Sequence, residues 1–310
     1  MKRLIILSLV AFPLFAFAQA GKPTAISVLQ KVQVKLEQLK TVGYHQTRET
    51  HYYADNYYNL TEADLYLDFQ GAGPINLRFQ ADEQKAAFVY DGKRTLRLNK
   101  EDLTIDSATA TTLRSVQNNS YLYYSLAMLR RAMPIIISND SLQKSMTDTL
   151  VDGKECYNVR IEGEKMYFQL LGDIDHYTAA GLKRPYYLLI DKKTLLPFRL
   201  ITKFVRGADD RDFVAVTYSD IDTMPAVPGA GSWEYATYAG TYKPYVAPVK
   251  IPVVKPGTIL ADFTLPAYAS SGIDSVSFSQ YKGKVVLLDF WFKSCGPCME
   301  AKPHYNEMQD

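Results

Sequence analysis

The sequence predicts an α+β protein: an antiparallel β-rich domain with flanking helices, then a linker, then an incomplete α/β unit. Three observations carry that expectation. Short runs in which apolar and polar residues alternate, joined by turn signals, recur through residues 21–222. Prolines then cluster in residues 223–256, where a missing amide donor and a fixed φ disfavour a core sheet. Finally, a run over residues 285–291 that is apolar except for Asp289 leads into Cys295-Gly296-Pro297-Cys298 and a helix-compatible stretch.

The first twenty residues read as an export signal. Lys2 and Arg3 precede an apolar run over residues 4–17, and Ala18-Gln19-Ala20 is the small-x-small pattern of a cleavage site. Cleavage near Ala20 leaves Gly21 as the mature start, and the expected location is periplasmic or otherwise extracytoplasmic and soluble. The alternative is an uncleaved anchor, for which the run is short. A formal net charge of +2 creates no large field and calls for no nucleic-acid partner. The 23 tyrosines suit amphipathic β surface.

Within residues 21–222, Ile26, Leu29, Val32, Leu36 and Leu39 recur at helical steps and predict one amphipathic helix, ended by Gly43. Strands are expected around Leu65–Leu67–Phe69, Ile75–Leu77–Phe79, and on both sides of the Asp91-Gly92 turn. A second helix over residues 121–133 should stop before Pro134. Further strand patterns occupy residues 157–161, 186–190, 198–204 and 213–218. Cys156, just after an Asp152-Gly153 turn, reads as a buried, inert thiol. The Tyr52-Tyr53, Tyr57-Tyr58 and Tyr123-Tyr124 pairs read as sheet packing, with a ligand platform as the sharper alternative.

The dithiol carries the chemistry of residues 257–310. Cys295 at a helix N-terminus would be the exposed thiolate nucleophile, and Cys298, one turn on, the resolving thiol. Gly296 and Pro297 fix the turn, Trp291 closes the apolar run beside it, and Asp289 is a candidate buried carboxylate that relays the Cys298 proton. A zinc site needs two more ligands, whereas His45, His51, His176 and His304 are scattered. No metal or cofactor is therefore expected.

Lys255-Pro256-Gly257, residues 261–266 (Ala-Asp-Phe-Thr-Leu-Pro), Tyr281-Lys282-Gly283-Lys284 and the run to Cys298 resemble the TlpA/ResA-type extracytoplasmic thioredoxin family. That resemblance implies a thiol–disulfide oxidoreductase, with disulfide-bearing exported proteins and an upstream membrane thiol donor as partners. Peroxiredoxins share the Asp-Phe-Thr-Leu-Pro opening, but Leu288 and Phe292 stand where their peroxide-binding pattern needs Pro and Thr. The family also implies later strands, further helices and a cis-Pro loop beyond Asp310, so its activity would belong to a longer protein. Residues 21–222, with the segment 188–199, are similar to the half-barrels of LolA-like lipoprotein carriers. This resemblance implies a concave sheet that binds a lipid, an acyl chain or a protein, with the dithiol segment then a non-functional fragment.

Overall fold

The computed structural model describes residues 22–53, 56–71, 73–117, 120–169, 171–177, 181–247, 255, 257–269, 272–288 and 290. Helix α1 (Ala25–Gln38) opens on a capping box in which Thr24 and Ser27 satisfy each other's amides. It buries Val28, Leu29, Val32 and Leu36, while Ile26 points outward. Gly43 does not end this helix but lies within strand β1 (Thr41–Tyr52), where the chain crosses Pro225: a Cβ there would sit 3.1 Å from the Pro225 ring. Small size at a backbone crossing, not a turn, explains that glycine.

An antiparallel meander follows: β2 (Tyr57–Asp68), β3 (Arg78–Asp82), β4 (Ala86–Tyr90), β5 (Arg94–Asn99) and β6 (Thr104–Thr109). Two helices come next, α2 (Leu113–Gln117) and α3 (Leu126–Ser138). The expected stop before Pro134 does not occur. Helix α3 starts at the Ser125 cap and continues through Pro134, because burial of Met133 and Ile136 offsets the one lost hydrogen bond. The return half comprises β7 (Gln143–Val151), β8 (Lys154–Glu162), the small hairpin β9 (Met166–Phe168) with β10 (Ile174–His176), β11 (Leu182–Lys183), β12 (Tyr186–Asp191), β13 (Pro197–Arg206) and β14 (Asp209–Asp222).

Strand β14 closes the two halves by pairing antiparallel with β1, Arg48 opposite Val216. Twelve strands, ending with β15 (Lys243–Pro244), run in the spatial order β15-β6-β5-β4-β3-β2-β1-β14-β13-β12-β8-β7, and β11 pairs with β13 beside them. Phe88 on β4 and Val159 on β8 belong to one core with α1 and α3. Seven strand spacings separate them in that order, about 34 Å on a flat sheet, which exceeds the width of two helices. The sheet therefore curves around α1 and α3.

Residues 233–245 of the proline-rich stretch lie on the outside of this sheet. Trp233, ahead of the single-turn α4 (Tyr235–Tyr238), packs with Tyr66, Val89, Leu96, Leu98 and Ile105. Strand β15 then adds in parallel to β6, its flanking amides bonded to the carbonyls of Leu103 and Ile105.

The expected thioredoxin-like α/β unit is corrected here. Among the described residues, 257–290 hold one antiparallel pair, β16 (Thr264–Ala269) with β17 (Gly272–Ser277), and a single 3-10 turn. Residues 285–288 are no strand, and Val285 and Phe290 are 102% and 89% exposed. A buried central strand exists only through partners on both edges, and no described residue pairs with this run. The described residues thus form a β-rich fold of one large sheet with few helices.

Candidate functional site

Strand β1 sets the character of the inner face. Val42, Tyr44, Gln46, Arg48, Thr50 and Tyr52 alternate onto it and change from apolar beside the core to polar and aromatic at the hairpin tip. Their cross-strand partners on β2 are Leu67, Leu65, Ala63, Thr61, Asn59 and Tyr57. The first three are buried, whereas Thr61, Asn59 and Tyr57 are exposed although they share the face. The helices cover one end of the curved sheet and leave this end open.

The floor of the opening is built by the segment before α3. Tyr124 adopts φ +59, an unfavourable backbone for a bulky residue. It is held there by packing and by the Tyr218 hydroxyl, which donates to its carbonyl. The rings of Tyr123 and Tyr124 lie 4.0 Å apart, with a 3.0 Å bond between their hydroxyls. Tyr186 crosses Tyr124 edge-on at 6.0 Å and accepts from the Phe168 amide. Burial pushes the Tyr186 hydroxyl up to about 12 and raises Tyr123 and Tyr124 as well, so all three stay neutral donors at neutral pH.

Two arginines meet this floor. Arg48 from β1 lies over the Tyr123 ring at 4.9 Å, and Arg184, just ahead of β12, reaches the Tyr123 hydroxyl at 3.4 Å. Arg184 also stacks between Tyr167 at 5.1 Å and Phe204 at 4.9 Å. Tyr52 and Tyr57 stack at 5.9 Å at the lip, and Tyr52 meets Phe204 edge-on. The opening thus combines aromatic walls with two guanidinium groups.

A second cavity of about 320 Å³ lies between α3 and the turn after β2, lined by Phe69, Ile75, Leu77, Ala127 and Leu171. Its arginines are committed: Arg130 donates to the carbonyls of Leu39 and Glu37 at the end of α1, and Arg131 to that of Leu171. Those bonds complete a helix terminus and a hairpin, which gives this cavity a structural explanation.

Of the residues expected to carry redox chemistry, Cys295, Cys298, Asp289, Trp291, Gly296 and Pro297 all lie outside the described residues. Cys156 is fully buried on β8, opposite Asp191 and packed with Leu189 and Phe198. Burial, and secondarily the Asp191 carboxylate, push its thiol up, which makes it a poor nucleophile. In a Cys295→Ser, Cys298→Ser background, the folded protein is expected to give no reaction with an aromatic disulfide reagent until denaturant is added. Prompt reaction of one thiol in native buffer would overturn that reading. Among the described residues, no group of His, Cys, Asp and Glu could hold a metal, and no helix is long and apolar enough to cross a membrane.

Sequence reasoning singled out the tyrosine pairs but not the arginines. Arg48 is flanked by Thr47 and Glu49, and Arg184 lies between Lys183 and Pro185. Neither makes a motif, since they meet only through Tyr123, more than sixty residues from each in the chain.

No protein-family description and no curated protein matches this sequence. Solved structures do show likenesses. The lipoprotein LppX of Mycobacterium tuberculosis is 14% identical at a TM-score of 0.37, over 66% of this chain and 98% of that one. A chain of the MucA/MucB complex of Pseudomonas aeruginosa is 11% identical at 0.38, over 82% and 74%. A LolA superfamily protein of Nitrosomonas europaea is 10% identical at 0.30, over 66% and 96%. The first is called a lipoprotein and the third a LolA superfamily protein, and the described residues contain no thioredoxin sheet. The expected TlpA/ResA-type identity and thiol–disulfide oxidoreductase activity are corrected accordingly, together with the disulfide-bearing partners and the membrane thiol donor.

Proposed function

We propose that this chain is an extracytoplasmic binding module, exported by its first twenty residues, that holds the apolar part of a lipid or acyl ligand on the open inner face of the sheet. One observation supports this above the others. Tyr57, Asn59 and Thr61 share a face with the buried Ala63, Leu65 and Leu67 yet are exposed, so the curved sheet has an uncovered aromatic mouth beside its core. Uncovered aromatic surface that joins a core favours an apolar ligand.

The test fills the mouth without touching the core. Wild-type protein is expected to bind dodecanol saturably at one site, read by displacement of a fluorescent naphthylamine. Thr61→Trp, at an exposed position, is expected to weaken this by about tenfold, the loss of one part-buried apolar contact area. Undiminished binding by Thr61→Trp would place the ligand elsewhere and defeat the reading.

A further inference from the structure

The two arginines at the mouth are placed where a folded protein gains little from them. Both Nε–H groups are buried and have no hydrogen-bond partner. Neither guanidinium takes part in any ion pair among the described residues, although ten Lys or Arg side chains pair with carboxylates elsewhere, and Arg199 on the other face has Glu49 at 2.7 Å. The nearby carboxylates are engaged with other groups. Asp212 accepts from the Tyr53 amide and from Arg206, and Asp175 accepts from Tyr167, Gln169 and the His176 amide. The tyrosine hydroxyls around Arg184 are neutral and supply no counter-charge.

Stacking explains part of this arrangement. Aromatic faces stabilise a guanidinium through its flat surfaces, as Tyr167 and Phe204 do for Arg184. Stacking leaves each Nε–H unsatisfied, however, and that group belongs to the edge that matches a carboxylate or phosphate two bonds at a time. Two like charges against one tyrosine side chain repel each other, and an anion between them would relieve that repulsion and satisfy both edges.

We propose that Arg48 and Arg184 form an anion subsite, with the Tyr123 hydroxyl between them, that receives the charged headgroup of an amphiphile. The carboxylate or phosphate lies against the two guanidinium edges. The chain lies on Tyr52, Tyr57 and Phe204 and leaves along the open face. This inference rests on the binding reading above and adds the ligand's chemical class: an anionic lipid rather than a neutral one.

The experiment compares two probes of equal chain length on the full chain: laurate, which carries a carboxylate, and dodecanol, which does not. Laurate is expected to bind about tenfold more tightly, the worth of one charge-assisted hydrogen bond. In R48Q/R184Q the laurate-to-dodecanol ratio is expected to fall to about one, with circular dichroism confirming a folded sheet. R184K, which keeps the charge but loses the fork, is expected to lie between the two. Equal affinity of wild type for both probes would overturn the subsite while leaving the binding module in place. Failure to bind either probe would overturn both. Displacement of the naphthylamine by acetate or inorganic phosphate as effectively as by laurate would make a free anion, not a lipid headgroup, the ligand, and would overturn the proposal. Retention of the laurate preference in R48Q/R184Q would do so too.

Discussion

Gly172→Ala is expected to destabilise the fold by about 2–5 kcal/mol, the sum of left-handed backbone strain and overpacking. Gly172 turns the hairpin between β9 and β10 with φ +91. A Cβ there would lie 2.7 Å from the Ala132 amide nitrogen and 2.8 Å from the Met128 carbonyl oxygen. Both are backbone atoms of α3, so relief requires the hairpin or the helix to move. The Phe168 and Leu171 side chains, fully buried against that helix, would move with it. Gly207→Ala is the control, since it has φ +61 and open space around the added carbon. It is expected to cost about 1 kcal/mol, the backbone term alone. Urea unfolding with unchanged slope reads both values. If the two variants lose the same stability, the close approach of hairpin and helix is wrong.

Trp233→Ala is expected to cost about 3–5 kcal/mol, as for other buried tryptophans. The indole is 7% exposed and meets Tyr66 edge-on at 6.1 Å, with the Arg78 guanidinium 4.5 Å over its face. Arg78 is held in turn by the buried Asp68 carboxylate at 2.7 Å. Truncation would uncover Val89, Leu96, Leu98 and Ile105 on the outer face of the meander and leave the strap held chiefly by the Gln80–Ser232 bonds and the β15–β6 pairing. Increased binding of a hydrophobic dye and faster proteolysis within residues 223–245 should accompany the lost stability. A variant as stable as wild type would show that the strap is a loosely attached tether.

The same segment shows where sequence reasoning stops. Proline content disfavours a core strand in residues 223–256, but it does not reveal what an irregular chain packs against. Trp233 is covered by β2, β4, β5 and β6, which lie more than 120 residues earlier in the sequence. The helix over residues 25–38 and most strands were legible because period and burial coincide. Strand β1 was less so, since its inner face passes through Gln46, Arg48 and Thr50 and breaks the alternation of apolar and polar residues. The apolar run at 285–290 predicted a central strand, yet it remains exposed where described. Hydrophobicity marks a segment that gains from burial and does not supply the partners that bury it.

By itself, then, the sequence determined the β-rich character, the amphipathic first helix and the buried state of Cys156. These follow from interactions between residues close in the chain or from average composition. Only the tertiary structure decided that the sheet curves, that one end of its inner face stays open, and that Arg48 and Arg184 share Tyr123 there. Those facts depend on the β1–β14 closure and on the seating of residues 120–125 beneath it. Such long-range contacts are set by packing of the whole core and leave no local signal at the residues they bring together.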